Sequence, residues 1–223
     1  MKHSIKLLLF LAVGIFFLSS CNLNKNPNPH YVISSQFKQY CQFQDQSKWT
    51  YQNDADSSLH NLTLKDVNTY IGFHTGDNVT GPYSFDVVDM FYDTTNSMHI
   101  IKTSINAGNP STGSGEMNEL YWLFFSDQNY LLAFAPGFPM GVEQRLGTKP
   151  GLYTNVAKLA NFKLNGKDYT DVYHTQVRKT EGTPDTVSYQ FYFAPHYGMI
   201  KWTRSVNGKT TGYSLKQSVL IQK

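Results

Sequence analysis

From Tyr31 onward, apolar and polar residues alternate with a period of two far more often than with the 3.6-residue period of a helix. Lys48-Trp49-Thr50-Tyr51 alternates and reads as a short strand, and Leu59, Leu62 and Leu64 alternate with polar partners, with one slip. Tyr70 to His74 carries Tyr70, Ile71 and Phe73. Ser84 to Tyr92 has apolar residues on both parities, which suits a largely buried strand. Met98 to Ile105 and Leu120 to Phe125 are similar. Gln36 to Phe43 has Phe37 and Cys41 on one parity and Tyr40 on the other, so it fits a strand or a short helix. Val156 to Leu164 is the best longer helical candidate, yet Asn165-Gly166 directly after it makes a strand at least as good a reading.

The turns are sharper than the strands. Asn165-Gly166 and Asn207-Gly208 each sit between alternating runs and predict type I′ hairpins, because both central residues of that turn need positive φ. The first joins Phe162–Leu164 to Tyr169–Tyr173, and the second joins Met199–Val206 to Tyr213–Ile221. Asp127-Gln128-Asn129 can link Leu120–Phe125 to Tyr130–Phe134. Asn106 to Glu116 is rich in Gly, Ser and Pro and reads as a mobile loop. Tyr130, Phe134-Ala135-Pro136, Met140 and Arg145 recur 59 residues later as Tyr189, Phe193-Ala194-Pro195, Met199 and Arg204. Two similar strand exits explain this better than a duplication, since two copies are too few for a repeat architecture.

Composition narrows the class. The chain has 223 residues, 40% hydrophobic and 15% aromatic, with 15 Tyr and 15 Phe, which favours sheet over helix and excludes disorder. A net charge of +3 is too small for a nucleic-acid footprint. The expected fold is all-β: a mainly antiparallel curved sheet, sandwich or open barrel, with little helix beyond the N-terminal signal described next.

Lys2 and Lys6 form a short basic region, and Leu7 to Leu18 is an apolar stretch too short to span a bilayer. It ends in Leu18-Ser19-Ser20-Cys21, which resembles the lipobox of bacterial lipoprotein signal peptides. The resemblance implies cleavage between Ser20 and Cys21, a diacylglycerol on the Cys21 sulfur and an acylated new N-terminus. It divides the chain into a signal peptide over 1–20, a lipidated flexible tether over 21–30 and a single β-rich domain over 31–223. Asn22 to Pro29 is polar and punctuated by proline, as a tether should be. Cys41 is then the only thiol left, and it reads as a small buried hydrophobe.

A second resemblance rests on Ser188 to Trp202, an aromatic strand followed by Ala194-Pro195 and by Gly198-Met199-Ile200-Lys201, and on Lys48-Trp49-Thr50-Tyr51 followed by Asp56. These segments look like the penultimate hairpin and opening strand of β-rich lipoproteins of the Bacteroidota. The resemblance covers about a sixth of the chain. It implies a sheet-built lipoprotein and no particular activity. Some lipoproteins of that group reach the cell surface through acidic residues after the lipidated cysteine, and this tether has none before Asp45. The expected location is therefore the outer membrane, on its periplasmic face.

Catalytic and metal signatures are sparse. No Gly-x-Ser-x-Gly, His-Glu-x-x-His or Cys-x-x-Cys is present, and Gly208-Lys209-Thr210 is a hairpin tip rather than a phosphate loop. Asp86, Asp89 and Asp93 are the densest acidic group, with Asp89 and Asp93 on one face of a strand. They read as solvated residues, not a glycosidase pair. No metal site and no cofactor are expected. The candidate ligand contacts are Phe138 and Met140, in an apolar loop from Phe134 to Val142 that would otherwise plug the core, and His196 and Tyr197 at the Ala-Pro corner. The expected role is non-catalytic, binding or structural: an envelope lipoprotein that binds a glycan, a lipid or an envelope protein or supports an envelope complex, held to the membrane by its acyl chains. A lipid-carrier-like half barrel with an apolar concave face is the alternative, and an envelope hydrolase comes third. A polar groove floored by Tyr and Trp would favour the glycan.

Overall fold

The alternation becomes sheet almost throughout. A computed structural model describes residues 28–76, 81–93, 98–110, 117–145, 151–180 and 186–222. Residues 1–20, expected as a signal peptide, with Ser20 and Cys21 and the expected tether up to residue 27, lie outside them. The strands are β1 (His30–Tyr31), β2 (Lys48–Asn53), β3 (Leu59–His74), β4 (Tyr83–Tyr92), β5 (Ile100–Pro110), β6 (Met117–Phe125), β7 (Tyr130–Phe134), β8 (Gln144–Arg145), β9 (Leu152–Leu164), β10 (Lys167–Thr180), β11 (Thr186–Ala194), β12 (Gly198–Val206) and β13 (Lys209–Val219). Among the described residues one helix, α1 (Ser35–Cys41), precedes β2.

All thirteen strands belong to one sheet, in the order β7-β6-β5-β4-β3-β2-β13-β12-β11-β10-β9-β8, with β1 added in parallel beside β4. The twelve strands of the main path pair antiparallel, and its two ends, β7 and β8, are not paired with each other, so the sheet is not closed into a barrel. Both Asn-Gly turns form as read, with Asn165 at φ 49°, Gly166 at 79°, Asn207 at 50° and Gly208 at 79°. Val156–Leu164 is strand, paired with β10 across the first of them. Asn106–Pro110, expected as loop, is instead the end of β5, where the ladder to β6 resumes after an irregularity at Asn109 and Pro110. Glycine and proline mark a break in register here, not the end of the strand.

The sheet folds back on itself at β3. The first part of β3 pairs with β2, and after a register shift between Leu64 and Asp66 the strand continues with β4 alone. This sets β5–β7 over β10–β12. Aromatic rings fill the space between: Phe134 stacks on Phe193 at 4.8 Å, Tyr121 meets Phe193 edge-on at 5.2 Å, and Phe125 lies 6.4 Å from Trp202. The interior around Trp49, Tyr51, Tyr92 and Tyr121 keeps a void of only about 10 Å³.

Helix α1 closes one end of the two layers. Ser34 caps it, its hydroxyl accepting from the Phe37 N–H at 3.1 Å while its own O–H donates to Glu119 of β6 at 2.9 Å. Phe37, Tyr40 and Cys41, three and four positions apart, are the buried face. Phe37 and Tyr40 pack on Phe134 at 5.5 and 5.4 Å, and the Tyr40 hydroxyl donates to the Asp171 carbonyl at 2.8 Å. Cys41 is fully buried, and burial pushes its thiol pKa well up, as suits a packing residue.

Candidate ligand-binding cleft

At the end away from α1, β11–β13 run on past the cover of the opposite layer. The hairpins decide which residues face the gap there, Arg204 and Thr211 exposed and Tyr189 and Trp202 nearly buried. The two-residue turn at Asn207-Gly208 sets Val206 opposite Lys209, and counting back in twos brings Arg204 opposite Thr211 and Trp202 opposite Tyr213. On the other side of β12, Tyr189 pairs with Arg204. These residues share the inner face. They floor a cleft of about 480 Å³ whose other wall is Met98, His99 and the β6–β7 turn from Phe125 to Asn129.

The floor is aromatic and ordered. Trp202 stacks on Tyr213 at 5.0 Å with 15° between planes, and His60 meets the Tyr213 ring edge-on at 5.1 Å. Burial, then the nearby Asp56 carboxylate, raises the Tyr213 phenol pKa. Arg204 is exposed; its Nε–H donates to the Tyr189 hydroxyl at 3.2 Å and its guanidinium lies 6.0 Å from that ring. No carboxylate of the described residues pairs with it. The Trp202 indole N–H is buried and has no acceptor among them. In the opposite wall, Asp127 accepts from the Asn129 backbone N–H at 3.0 Å and from its side-chain amide at 2.8 Å. This fixes the turn and presents His99, Ser126 and Asn129 to the cleft. Apolar ring faces below and fixed donors and acceptors at the rim are what a small polar ligand with one apolar side requires.

The four residues singled out from sequence lie elsewhere. Phe138 is in the core, edge-on to Tyr153 at 5.8 Å, so its loop plugs the sheet. Met140 of the same loop is 43% exposed and bridges to Asn155. His196, at φ 66°, accepts or donates at Nδ1 with the Gln222 side chain at 3.0 Å and lines a polar hollow with Ser35, Lys38, Gln39 and Gln42. Tyr197 is half-buried under Lys167, whose Nζ sits 3.9 Å from the ring centre. Asp86 and Asp89 of β4, and Asp93 just after it, are also dispersed. Asp86 bonds His30 at 3.1 Å, Asp89 pairs with Lys102 at 3.1 Å, and Asp93 pairs with Lys65 at 3.6 Å. The cleft residues Tyr189, Trp202, Arg204 and Tyr213 were missed, although hairpin counting from Asn207-Gly208 puts three of them on one face.

No protein-family model matches this chain, and no curated protein matches it. Among solved structures, a chain from Parabacteroides distasonis that bears the name of a lipoprotein is similar over 81% of this chain and 98% of its own, at 9% identity and a TM-score of 0.32.

Proposed function

We propose that this chain is a lipid-anchored envelope protein, on the periplasmic face of the outer membrane, whose domain binds a saccharide without transforming it. The observation that carries the binding role is the cleft of about 480 Å³ floored by Tyr189, Trp202 and Tyr213 beside Arg204. The C–H face of a sugar ring packs on aromatic surface, and its hydroxyls take the rim groups. Among the described residues, the interior around Trp49, Tyr51, Tyr92 and Tyr121 keeps only about 10 Å³, too little for an acyl chain, which favours this reading over a carrier. Glycoside hydrolysis uses two carboxylates facing across the bond, whereas the carboxylate this cleft presents is Asp127, already held by Asn129. The anchor is supported by Leu18-Ser19-Ser20-Cys21.

Two experiments test the two halves. An array of neutral and acidic oligosaccharides probed with the purified protein should give binders. Thr211→Trp, which fills the cleft from an exposed position, should weaken them at least tenfold; an array without binders, or unchanged binding by Thr211→Trp, overturns the site. Separately, Cys21→Ser should move the protein from the membrane pellet to the soluble fraction, and retention in the pellet would overturn the anchor.

A further inference from the structure

We propose that the free edge of β3 pairs with β3 of a second copy, antiparallel about a two-fold axis at Tyr70, so that two sheets become one. β2 has six residues and β3 has sixteen, and β2 reaches only to Thr63. Beyond the register shift, Asp66 to Phe73 hydrogen-bonds β4 on one side, and no described residue pairs with its other side. About half of the backbone N–H and C=O groups of such a segment point to the open edge.

Exposed edges are normally guarded by charge, proline or cover. The free edge of β9 carries Lys158 and Lys163, and β7 is folded against β10 and β11. Along β3, by contrast, Asn68-Thr69-Tyr70-Ile71-Gly72-Phe73 has neither charge nor proline. Its apolar side chains are uncovered: Tyr70 is 49%, Ile71 53% and Phe73 77% exposed. Such a segment gains by acquiring a neighbour.

The sequence is complementary to itself in this register. Centring the axis on Tyr70 sets Thr69 against Ile71, Asn68 against Gly72, Val67 against Phe73 and Asp66 against His74 of the second copy. Apolar residues meet along one face, because Val67, Thr69, Ile71 and Phe73 lie opposite Met90, Val88, Asp86 and Ser84 of β4, on the side that carries the core residues Val88 and Met90. At each end a carboxylate meets an imidazole. A parallel pairing in equal register would instead place Asp66 against Asp66. Charge and apolar matching therefore select a second copy of this chain, run antiparallel.

The test is a cysteine scan in the full chain, expressed in cells with its own signal. Directly opposed positions have Cβ atoms about 4.5–5.5 Å apart, within disulfide reach. Tyr70→Cys should give a reducible dimer of twice the chain mass. Asp66→Cys should not, because its two copies would be about 26 Å apart. Adding Ile71→Lys to Tyr70→Cys should remove the cross-link. The unmodified chain in detergent should show the dimer mass in native mass spectrometry, a readout that does not depend on any variant folding. A monomeric native mass, a dimer from Asp66→Cys as strong as from Tyr70→Cys, or a cross-link to a protein of different mass overturns the proposal; the last would assign the edge to another chain.

Discussion

Above pH 10 this protein is expected to unfold in a single steep transition, with its midpoint within about two pH units of the ordinary phenol pKa. The cause is the number of phenols sealed in the core. Burial raises the pKa of Tyr51, Tyr121 and Tyr153 well above the ordinary value, with neighbouring phenols adding to the effect at Tyr51 and Tyr121. Burial pushes Tyr92 up to about 12, against hydrogen bonds from Thr103 and Tyr121 that lower it. In the unfolded chain each of these phenols loses its proton near pH 10, while the folded chain retains it. Above pH 10 the native state therefore binds more protons than the unfolded state, and stability falls as pH rises; below pH 10 the contribution is fully present. Each such phenol removes about 1.4 kcal/mol per pH unit, so four remove about 5–6 kcal/mol per unit, against a total stability of about 5–15 kcal/mol for a domain. Phenolate absorbance at 295 nm and far-ultraviolet circular dichroism should change together. Full ionisation of all fifteen tyrosines near pH 10, before any loss of sheet signal, would show that these phenols are open to solvent. Tyr92→Phe should make the transition less steep without removing it.

The same rings show how far the sequence could be read. Aromatic enrichment and period-two alternation were enough for an all-β chain, and the Asn-Gly pairs gave both hairpins with their register. The helix was half legible: Ser34 as cap and Phe37, Tyr40 and Cys41 at helical spacing are its signals, but seven residues also fit a strand. The end of β5 was misread because Gly and Pro usually stop a strand, whereas here they mark an irregular ladder. The cleft was not legible as a cavity. Its floor follows from hairpin counting, but its existence depends on where the opposite layer stops, and that is set by the fold at β3. The register shift at Leu64–Asp66 that makes this fold has no counterpart in the leucine alternation, whose slip lies earlier, between Leu59 and Leu62, where the ladder to β2 is regular. The likeness of 130–140 to 189–199 does have a physical basis. Ala135 accepts from the Phe138 N–H and Ala194 from the Tyr197 N–H, both at 3.2 Å, so each Ala-Pro exit closes with the same backbone bond, although His196 takes positive φ in the second and Gly137 does not in the first.

Asn155→Leu should destabilise the domain by about 3–5 kcal/mol, the largest cost we expect from removing a single polar side chain, because it strands several buried groups at once. Asn155 is fully buried on β9. Its amide nitrogen donates to the carbonyls of Ala135 and Phe138, both at 2.8 Å, and its oxygen accepts from the Tyr153 hydroxyl at 2.5 Å. That hydroxyl in turn accepts from the Ala135 N–H at 2.8 Å. One side chain thus satisfies the backbone of the loop that seats Phe138 in the core. Leucine has similar volume, so packing changes little, but the Phe138 carbonyl and the Tyr153 O–H lose these partners, at about 1–3 kcal/mol each when left unsatisfied, and the Ala135 carbonyl keeps only the bond from the Phe138 N–H. The loop from Ala135 to Gly141 should also become the first site of proteolysis, because its anchor at Asn155 is reduced to the bond from the Gly141 N–H to the Asn155 carbonyl at 2.8 Å. Met140→Ser, on the exposed side of the same loop, should stay within about 0.5 kcal/mol of the native protein. Urea denaturation of the two variants separates burial from bonding. If Asn155→Leu falls no further than Met140→Ser, the loop carbonyls find other donors, and the plug is held by the Phe138 ring and not by the amide.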